Sequence, residues 1–327
     1  MENISRRQAV VTGALAGAAT LFRGVEVLFA KAAQPKTKVT FNVPAATCDT
    51  HVHLFGDPQR YPFFAGRVYT PEPASVAELR SFLTALNIER VVIVQPSIYG
   101  TDNRCTLDAL RELGSRARAI AVIDAKTPDG ELDAMAKAGV RGIRINLTQA
   151  GVTDPSAAIK AFQMAADRAK ARNWHVQINS NPKIIDAIST QLLSSPVPIV
   201  IDHFGGAQAA AGVDQPGFAT LVSLVKSGKA YVKISAAADL ISTKAPDYAD
   251  VIPLAKALVA ANPQRVLWGS DWPHPDSRVL PGRKNTDIAP LVQTDDGLVL
   301  NLLPVWVPDA ATRRAILVEN PARLYGF

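Results

Sequence analysis

The feature that most constrains the fold is a regular alternation of short apolar runs with longer amphipathic stretches between residues 47 and 270. The apolar runs have the length of buried strands, and the stretches between them carry the 3.6-residue period of helices. Because no hairpin pattern joins one run to the next, we expect parallel strands covered by helices on both faces. The predicted strands are 47–54, 90–95, 118–122, 142–147, 175–178, 199–202, 230–234 and 266–268.

Eight strand–helix units favour a closed barrel over an open doubly wound sheet. The chain has 327 residues, and a (β/α)8 barrel needs about 250. A dinucleotide-binding fold has no support, because no Gly-x-Gly-x-x-Gly motif opens a helix. We therefore predict an α/β protein with a single (β/α)8 TIM-barrel domain over residues 40–327.

The charge pattern limits the partners. Lys and Arg number 35 against 29 Asp and Glu, but the basic residues are scattered and form no run typical of a nucleic-acid site. The expected partner is a small molecule, and we expect neither nucleic acid nor a membrane to be a partner. The chain is expected to be a monomer or a small homo-oligomer. The diffuse positive charge favours an anionic substrate.

The amino-terminal segment differs from the rest. Arg6 and Arg7 precede a small-residue apolar run over 9–22, and residues 30–32 offer a small-x-small cleavage site. This pattern predicts a twin-arginine export signal over residues 1–32 and a periplasmic location. A buried or uncleaved helix is the alternative, whereas a membrane span is disfavoured because the run is shorter than about 20 residues. Cys48 and Cys105 are expected to be unpaired.

Four polar side chains stand at the predicted carboxyl ends of strands that a barrel would bring to one rim. His51 and His53, two residues apart on the first strand, face the same side. His203 follows the sixth strand and Asp271 follows the eighth. Such a set can bind a metal ion or combine a carboxylate base with donors for an oxyanion. Hydrogen-bonded core histidines are the alternative.

Around these residues the chain resembles a known family. Segments 49–53 (DTHVH), 201–205 (IDHFG) and 268–275 (WGSDWPHP) are similar to strands 1, 6 and 8 of the amidohydrolase-related (amidohydrolase 2) hydrolases. The segments 95–103 (QPSIYGTDN), 141–146 (RGIRIN) and 319–325 (ENPARLY) resemble the lactonase branch typified by 2-pyrone-4,6-dicarboxylate lactonase. The resemblance runs from about residue 40 to the carboxyl terminus.

The resemblance implies hydrolysis of a lactone, an ester within a ring. Asp271 would remove a proton from water and later return it to the leaving oxygen. His51, His53 and His203 would polarise the carbonyl group and stabilise the oxyanion. Two other reactions stay open within the superfamily: a metal-dependent decarboxylation and a lactone isomerisation.

The resemblance also bears on cofactors. Binuclear relatives use a histidine on strand 5 and a bridging Lys or Glu on strand 4, where this chain offers Gln177 and Asn179, and Arg144 and Asn146. A binuclear site is therefore disfavoured. We expect no metal, and the alternative is a single Zn²⁺ on His51, His53, His203 and Asp271.

The resemblance implies a set of substrate-binding residues. Arg144 would pair with a substrate carboxylate, and the other expected contacts are Ser97, Tyr69, Thr101 and Asn179. Two arginines of the pyrone enzyme are absent, with Ala150 and Asp239 near their positions. Because burying an unpaired carboxylate is costly, this chain should take a hydroxylated or singly carboxylated lactone.

Overall fold

The computed structural model describes residues 32–278 and 280–327. Strands and helices alternate along the chain. Numbered in chain order, the strands are β1 (Cys48–Val52), β2 (Thr70–Pro71), β3 (Arg90–Val94), β4 (Ala117–Ala121), β5 (Val140–Asn146), β6 (His175–Asn179), β7 (Ile199–Ile201), β8 (Ala230–Ser235), β9 (Val266–Gly269) and β10 (Ile288–Ala289). The helices are α1 (Val76–Ala85), α2 (Arg104–Leu113), α3 (Asp129–Ala138), α4 (Pro155–Lys170), α5 (Pro182–Ala187), α6 (Ser189–Leu193), α7 (Phe218–Lys226), α8 (Ile252–Ala261), α9 (Asp296–Asn301), α10 (Leu303–Trp306), α11 (Ala310–Arg314) and α12 (Asn320–Tyr325).

Eight strands form one parallel sheet in the order β1-β3-β4-β5-β6-β7-β8-β9. The first and last strands meet just beyond the end of β9, where Val52 and Trp272 form a parallel bridge. There the backbone N–H of Asp271 donates to the carbonyl oxygen of His51 (2.9 Å), and that of His53 donates to Trp272 (2.8 Å). We call this junction the seam. The predicted parallel α/β barrel is confirmed.

The alternation of side chains along each strand divides the core in two. On β3, Val91 and Ile93 pack outward under the helices, whereas Val92 and Val94 pack inside the barrel. The inner cluster also contains Cys48, Ile120, Val200, Tyr231, Leu267 and Tyr325. This apolar interior fills the lower part of the barrel, so the polar side chains further along β5, β6 and β8 are held above a packed base.

The strand predictions match the structure to within one or two residues, and the helices differ in three places. The apolar period over 184–193 predicts one helix, but the structure has two, α5 and α6. The period that starts at residue 248 predicts another helix, which begins only at Ile252 because Tyr248 has a φ of 44°. The final helix comprises α11, a π-helical turn over Ala315–Glu319 and α12.

The loop between β9 and α9 is held by strand pairing with β2 and by ion pairs within the loop. Its short strand β10 pairs with β2 in a second, two-stranded sheet. Arg278 and Arg283 both donate to the carboxylate of Asp276, at 2.6 and 2.9 Å. Ser277 and Arg278 of this polar loop line the same cavity as His203 and Asn179, so the loop lies over the carboxyl ends of the strands.

An amino-terminal strap, residues 32–43, packs against late parts of the chain. Trp272 donates its indole N–H to the carbonyl oxygen of Ala33 (2.9 Å), Thr37 bonds Asp295 (2.6 Å) and Thr40 bonds Asn301 (2.7 Å). The strap is thus part of the folded domain. The predicted export signal lies outside the described residues, except for Ala32. Both cysteines are buried and unpaired. Among the described helices, none is long and apolar enough to cross a membrane.

Candidate active site

The structure brings together the four side chains predicted to meet at the rim, which we call the rim cluster: His51, His53, His203 and Asp271. The Oδ1 atom of Asp271 lies 3.5 Å from Nε2 of His51, 3.4 Å from Nε2 of His53 and 3.9 Å from Nε2 of His203. All four residues are at most 5% exposed. A single carboxylate oxygen therefore faces three imidazoles in a pocket largely shielded from water.

The backbone conformation at the strand ends sets the direction of two of these side chains. Asp271 has a φ of 73° and His203 a φ of 50°, in the left-handed region that non-glycine residues seldom adopt. Such a conformation costs about 1–3 kcal/mol and persists only where the surroundings impose it. The imposed turns point Asp271 and His203 toward the barrel axis, over the ends of β1 and β8.

The other ring nitrogen of each histidine has its own partner. Nδ1 of His53 lies 2.7 Å from the carbonyl oxygen of Val94. A carbonyl only accepts, so His53 carries a proton on Nδ1, and its Nε2 faces Asp271 as a lone pair when the ring is neutral. Nδ1 of His203 lies 2.9 Å from the hydroxyl of Ser235, which permits either tautomer. His51 and His53 lie at nearly equal distances from Asp271, but equal distances do not give the two histidines equal roles.

Below the rim lies a buried polar layer centred on Asp202. Its Oδ2 accepts hydrogen bonds from Nε of Arg144 (3.2 Å) and Nε2 of Gln177 (3.1 Å). Its Oδ1 lies 3.3 Å from Nδ1 of His51 and 3.6 Å from the ammonium of Lys233. The side chain of Asp202 therefore enters the barrel interior beneath His51.

Burial and charge set the protonation of the rim. Burial, with the cation of Lys233 nearby, lowers the pKa of His51 well below its usual value, and burial likewise lowers the pKa of His203. Burial alone would raise the pKa of Asp271, but the surrounding histidines, His203 foremost, hold it below the ordinary range. At neutral pH the rim thus combines the ionised carboxylate of Asp271 with the neutral imidazoles of His51 and His203.

Asp49 stabilises the seam through hydrogen bonds to both of its segments. Its Oδ1 accepts from the backbone N–H groups of His51 (3.0 Å) and Ser270 (3.1 Å), and its Oδ2 accepts from the hydroxyl of Ser270 (2.5 Å). Burial raises the pKa of Asp49 to about 7 despite these bonds. Its function is to hold the segments that carry His51 and Asp271 side by side.

A second buried cluster lies next to the rim: His274, Asp239 and Asp296, which we call the His274 cluster. Nε2 of His274 lies 2.7 Å from Asp296, and Nδ1 lies 3.7 Å from Asp239. Burial would lower the pKa of His274, but the two carboxylates outweigh it and raise that pKa well above its usual value. His274 thus forms a buried ion pair with these carboxylates.

A cavity of about 650 Å³ opens at the carboxyl ends of the strands. His203 and Asn179 reach it, as do Gln149, Leu240 and Arg278. Asn179 is held by a hydrogen bond to Asn146 (3.0 Å), and the hydroxyl of Ser97 bonds Gln149. The cavity has the size of a small-molecule site.

The remaining predicted binding residues occupy different surroundings. Arg144 is 4% exposed, and only its Nε is used by Asp202 among the described contacts. Tyr69 is 3% exposed and lies close enough to Arg144 and Asp271 for both charges to act on the pKa of its hydroxyl, which burial raises. Thr101 is exposed on the loop before α2 and is absent from the cavity lining. Its role stays a prediction.

Sequence reasoning missed Lys233, a fully buried side chain in the middle of β8. Burial lowers its pKa to about 8, so it remains cationic at neutral pH. A lone lysine inside an otherwise apolar strand (AYVKIS) is the signal that could have found it, because lysine is almost never fully buried without partners.

The rim also has atoms arranged to hold one divalent cation. His51, His203 and Asp271 can each offer a ligand atom, and these atoms lie within 4.8 Å of one another. Nε2 of His51 and Oδ1 of Asp271 are buried and make no hydrogen bond among the described residues. The donor set, imidazole nitrogens with a carboxylate, suits Zn²⁺. The residues therefore fit a single ion, and His53 offers a fourth donor beside them.

Comparison with known proteins agrees with this site. A family model described as amidohydrolase matches residues 48–327. A 4-sulfomuconolactone hydrolase of Hydrogenophaga intermedia is 36% identical over 88% of this chain and 90% of its own. A 2-pyrone-4,6-dicarboxylate hydrolase of Comamonas testosteroni is 33% identical, covering 88% and 93%. A D-galactarolactone isomerase of Agrobacterium fabrum is 30% identical, covering 86% and 91%.

Solved structures share the fold. An Acinetobacter baumannii protein, described as a probable 2-pyrone-4,6-dicarboxylic acid hydrolase with citric acid bound, has a TM-score of 0.71 and 26% identity over 86% of this chain and all of its own. A Burkholderia multivorans amidohydrolase with bound zinc has a TM-score of 0.63 and 19% identity, covering 86% and 100%. Metal-bound structures thus occur on this fold.

Proposed function

The chain belongs to the amidohydrolase family, and from that premise we propose that it hydrolyses a carboxylated or polyhydroxylated lactone. The observation that carries the proposal is the rim cluster, in which one ionised carboxylate faces three imidazoles within 3.4 to 3.9 Å. Relatives named as lactone hydrolases, at 33–36% identity over most of the chain, support the same reaction class.

The proposed reaction begins with a water molecule beside Asp271. The carboxylate takes one proton as the water oxygen attacks the lactone carbonyl carbon, and the carbonyl oxygen becomes the oxyanion. When the oxyanion collapses, the ring C–O bond breaks, and Asp271 returns the proton to the departing oxygen. One lactone and one water give one hydroxy acid, which then ionises.

The three imidazoles have different roles in the proposed reaction. His51 and His203 point Nε2 toward the place where the oxyanion forms, where donors are worth about 10²–10³-fold in kcat each. His53, whose Nδ1–H is bound to Val94, presents a lone pair. In its neutral form His53 accepts a hydrogen from the attacking water through Nε2 and helps Asp271 to orient it. This refines the expectation that all three histidines would donate to the oxyanion.

We propose that the reaction proceeds without a metal ion. Where a divalent ion is bound to His51, His203 and Asp271, it would supply Lewis-acid polarisation of the carbonyl group and a more acidic water. The chain's own residues already place a base and donors around the reacting atoms. Turnover that persists after dialysis against a chelator, with metal content far below one ion per chain, supports the proposal. Activity that returns only with added Zn²⁺ contradicts it.

Arg144 is the proposed anchor of a substrate carboxylate. Its Nε holds Asp202, and its two terminal nitrogens remain for a bidentate contact with the substrate. Tyr69, Ser97 and Asn179 would bind further oxygens, with Thr101 a more distant candidate. Asp239 is ion-paired to His274 and adds no cation to the pocket. We therefore propose a substrate with a single carboxylate near the ring.

Lactone isomerisation is the second candidate, favoured by the 30% identical D-galactarolactone isomerase. Reaction in H₂¹⁸O separates the two. A hydrolase that cleaves the acyl–oxygen bond places one ¹⁸O in the new carboxylate, whereas an isomerase moves the acyl group between hydroxyls and incorporates none. Release of CO₂ with the ring intact would favour the decarboxylase alternative. Tests use a panel of mono- and dicarboxylated lactones, with Asp271→Asn as the inactive control.

We further propose that residues 1–32 direct export to the periplasm. The strap that follows is bound to the folded barrel through Ala33 and Thr37, so removal of the signal would leave the domain intact. The test is fractionation of cells expressing the full chain and a variant with both Arg6 and Arg7 replaced by Lys. Wild-type protein in the periplasm and variant protein retained in the cytoplasm support export. Identical distributions contradict it.

A further inference from the structure

Lys233 takes no part in the proposed reaction. Its side chain is fully buried on β8, beneath the rim cluster. The ammonium nitrogen lies 2.8 Å from the carbonyl oxygen of Thr50, 2.9 Å from Oε1 of Gln177 and 3.3 Å from Nδ1 of His51. It therefore contacts His51, a residue of the rim cluster, at the ring nitrogen that does not face Asp271.

These three neighbours match the three N–H bonds of an ammonium group. The carbonyl oxygen of Thr50 can only accept. Gln177 also accepts through Oε1, because its amide nitrogen donates to Asp202 and so fixes which way the amide faces. The third N–H then points at Nδ1 of His51, which must accept it as a lone pair.

We infer that Lys233 is a positioning residue that holds His51 as the neutral tautomer with its proton on Nε2. That proton faces Asp271, whose Oδ1 lies 3.5 Å from Nε2 of His51. His51 would then be a donor for the oxyanion, opposite in tautomer to His53, whose proton is on Nδ1. The assigned tautomer is independent of the proposed function, and only the use of the proton rests on it.

Asp202 offers the competing arrangement. Its Oδ1 also lies 3.3 Å from Nδ1 of His51, but it makes no hydrogen bond in the described part of the chain, whereas Oδ2 accepts two. If His51 donated to Asp202, its proton would lie on Nδ1 and a lone pair would face the rim. That arrangement is the one typical of metal-binding histidines. Lys233 thus decides between an oxyanion donor and a metal ligand.

The first test reads the tautomer directly in the wild-type protein without substrate. The chain has five histidines, so ¹⁵N-histidine labelling and long-range ¹H–¹⁵N spectra at pH 7 give a set that His51→Gln and His53→Gln variants can assign. The expected result is a proton on Nε2 of His51 and on Nδ1 of His53. A proton on Nδ1 of His51, or a doubly protonated ring, overturns the inference.

The second test removes the lysine. In Lys233→Met, Asp202 is the remaining polar neighbour of Nδ1, so the His51 proton should move to Nδ1, and kcat should fall about 10²-fold with KM changed by less than about threefold. Lys229→Met, on an exposed residue just before β8, is the matched control and should leave both unchanged. An unchanged tautomer in Lys233→Met overturns the inference, and an unchanged kcat with a moved proton overturns the role of His51 as an oxyanion donor.

The wild-type spectra keep the question open to test even if Lys233→Met does not fold. The two proposals also fail differently. A proton on Nε2 of His51 in a protein that opens no lactone would leave the tautomer assignment standing and reject the proposed function. Lactone hydrolysis by a protein with the proton on Nδ1 would do the reverse.

Discussion

The rim cluster and the His274 cluster are built from the same two kinds of side chain and reach opposite protonation states. At the rim, three imidazoles share the carboxylate of Asp271, with Asp202 and the cations of Lys233 and Arg144 below, and the pKa values of His51 and His203 are lowered. In the other cluster one imidazole lies between two carboxylates, and the pKa of His274 is raised. Both clusters are buried.

The comparison shows that the local ratio of acids to bases, rather than burial, decides the charge of an imidazole. Burial lowers the pKa of a histidine in both places. At His51 the cation of Lys233 adds to burial and offsets the nearby carboxylate of Asp202, whereas at His274 the two carboxylates overcome burial. Neutral imidazoles around a free carboxylate suit proton transfer, whereas a fixed ion pair suits cohesion of the β9–α9 loop. We therefore expect changes at the rim to affect catalysis and changes at His274 to affect stability.

The largest expected effect is at the rim. Asp271→Asn removes the general base without changing the size of the side chain, so kcat should fall about 10³–10⁴-fold while the circular dichroism spectrum stays as in the wild type. Asp167→Asn, at an exposed position on α4, is the matched control and should keep full activity. Retained lactone turnover in Asp271→Asn would remove the rim from the mechanism.

His274→Leu should cost stability. The change leaves the carboxylate of Asp296 buried without its cation, at a cost of about 3–5 kcal/mol in the free energy of unfolding, measured by urea denaturation. The double variant His274→Leu with Asp296→Asn removes the charge as well and should recover most of the loss. Equal stability of the single variant and the wild type would show that the pair is not an ion pair.

Arg144→Lys tests the role of the cation that lies below the rim cluster. Lysine keeps the charge but loses the two-pronged contact, so KM for a carboxylated lactone should rise about tenfold, with a smaller change in kcat, in steady-state assays. Arg141→Lys, earlier on the same strand and outside the cavity lining, is the control. A KM unchanged by Arg144→Lys would move the carboxylate anchor elsewhere.

The pH dependence of stability gives the smallest effect. Because the pKa of His274 is raised in the folded state, its stabilisation is complete below the unfolded value of about 6.5 and is lost as the pH rises toward the folded pKa. The stability difference between the wild type and the double variant should therefore shrink, by up to about 1.4 kcal/mol per pH unit above pH 6.5. Urea midpoints measured at pH 6, 7 and 8 give that slope, and a difference that grows with pH contradicts the sign.

The barrel could be predicted because its signal is repeated. Each parallel strand is buried on both faces and so appears as an apolar run, and each is separated from the next by a helix-length stretch. The two-residue strands β2 and β10 gave no such signal, since they are too short to show a period. The break between α5 and α6 was missed for a similar reason, because the apolar pattern continues across Ile188.

The site was predictable where side chains follow directly from strand ends. His51, His53, His203 and Asp271 lie on matching ends of parallel strands, so their meeting follows from topology. The roles of Asp202 and Lys233 do not, because they depend on which way a residue turns at the end of β7 and on the stagger between β7 and β8. The tautomer of His53 depends on a backbone oxygen of β3, which no sequence pattern reveals.

The position of the seam in the chain also has a consequence for folding. His51 and Asp271 come from strands at opposite ends of the chain, and the hydrogen bonds that close the barrel are made by the backbones of the reacting residues themselves. Contacts between such distant segments carry a high entropic cost and form late in folding. Recovery of activity during refolding therefore measures closure of the barrel, because a molecule open at the seam has its helices and sheet but no reaction centre.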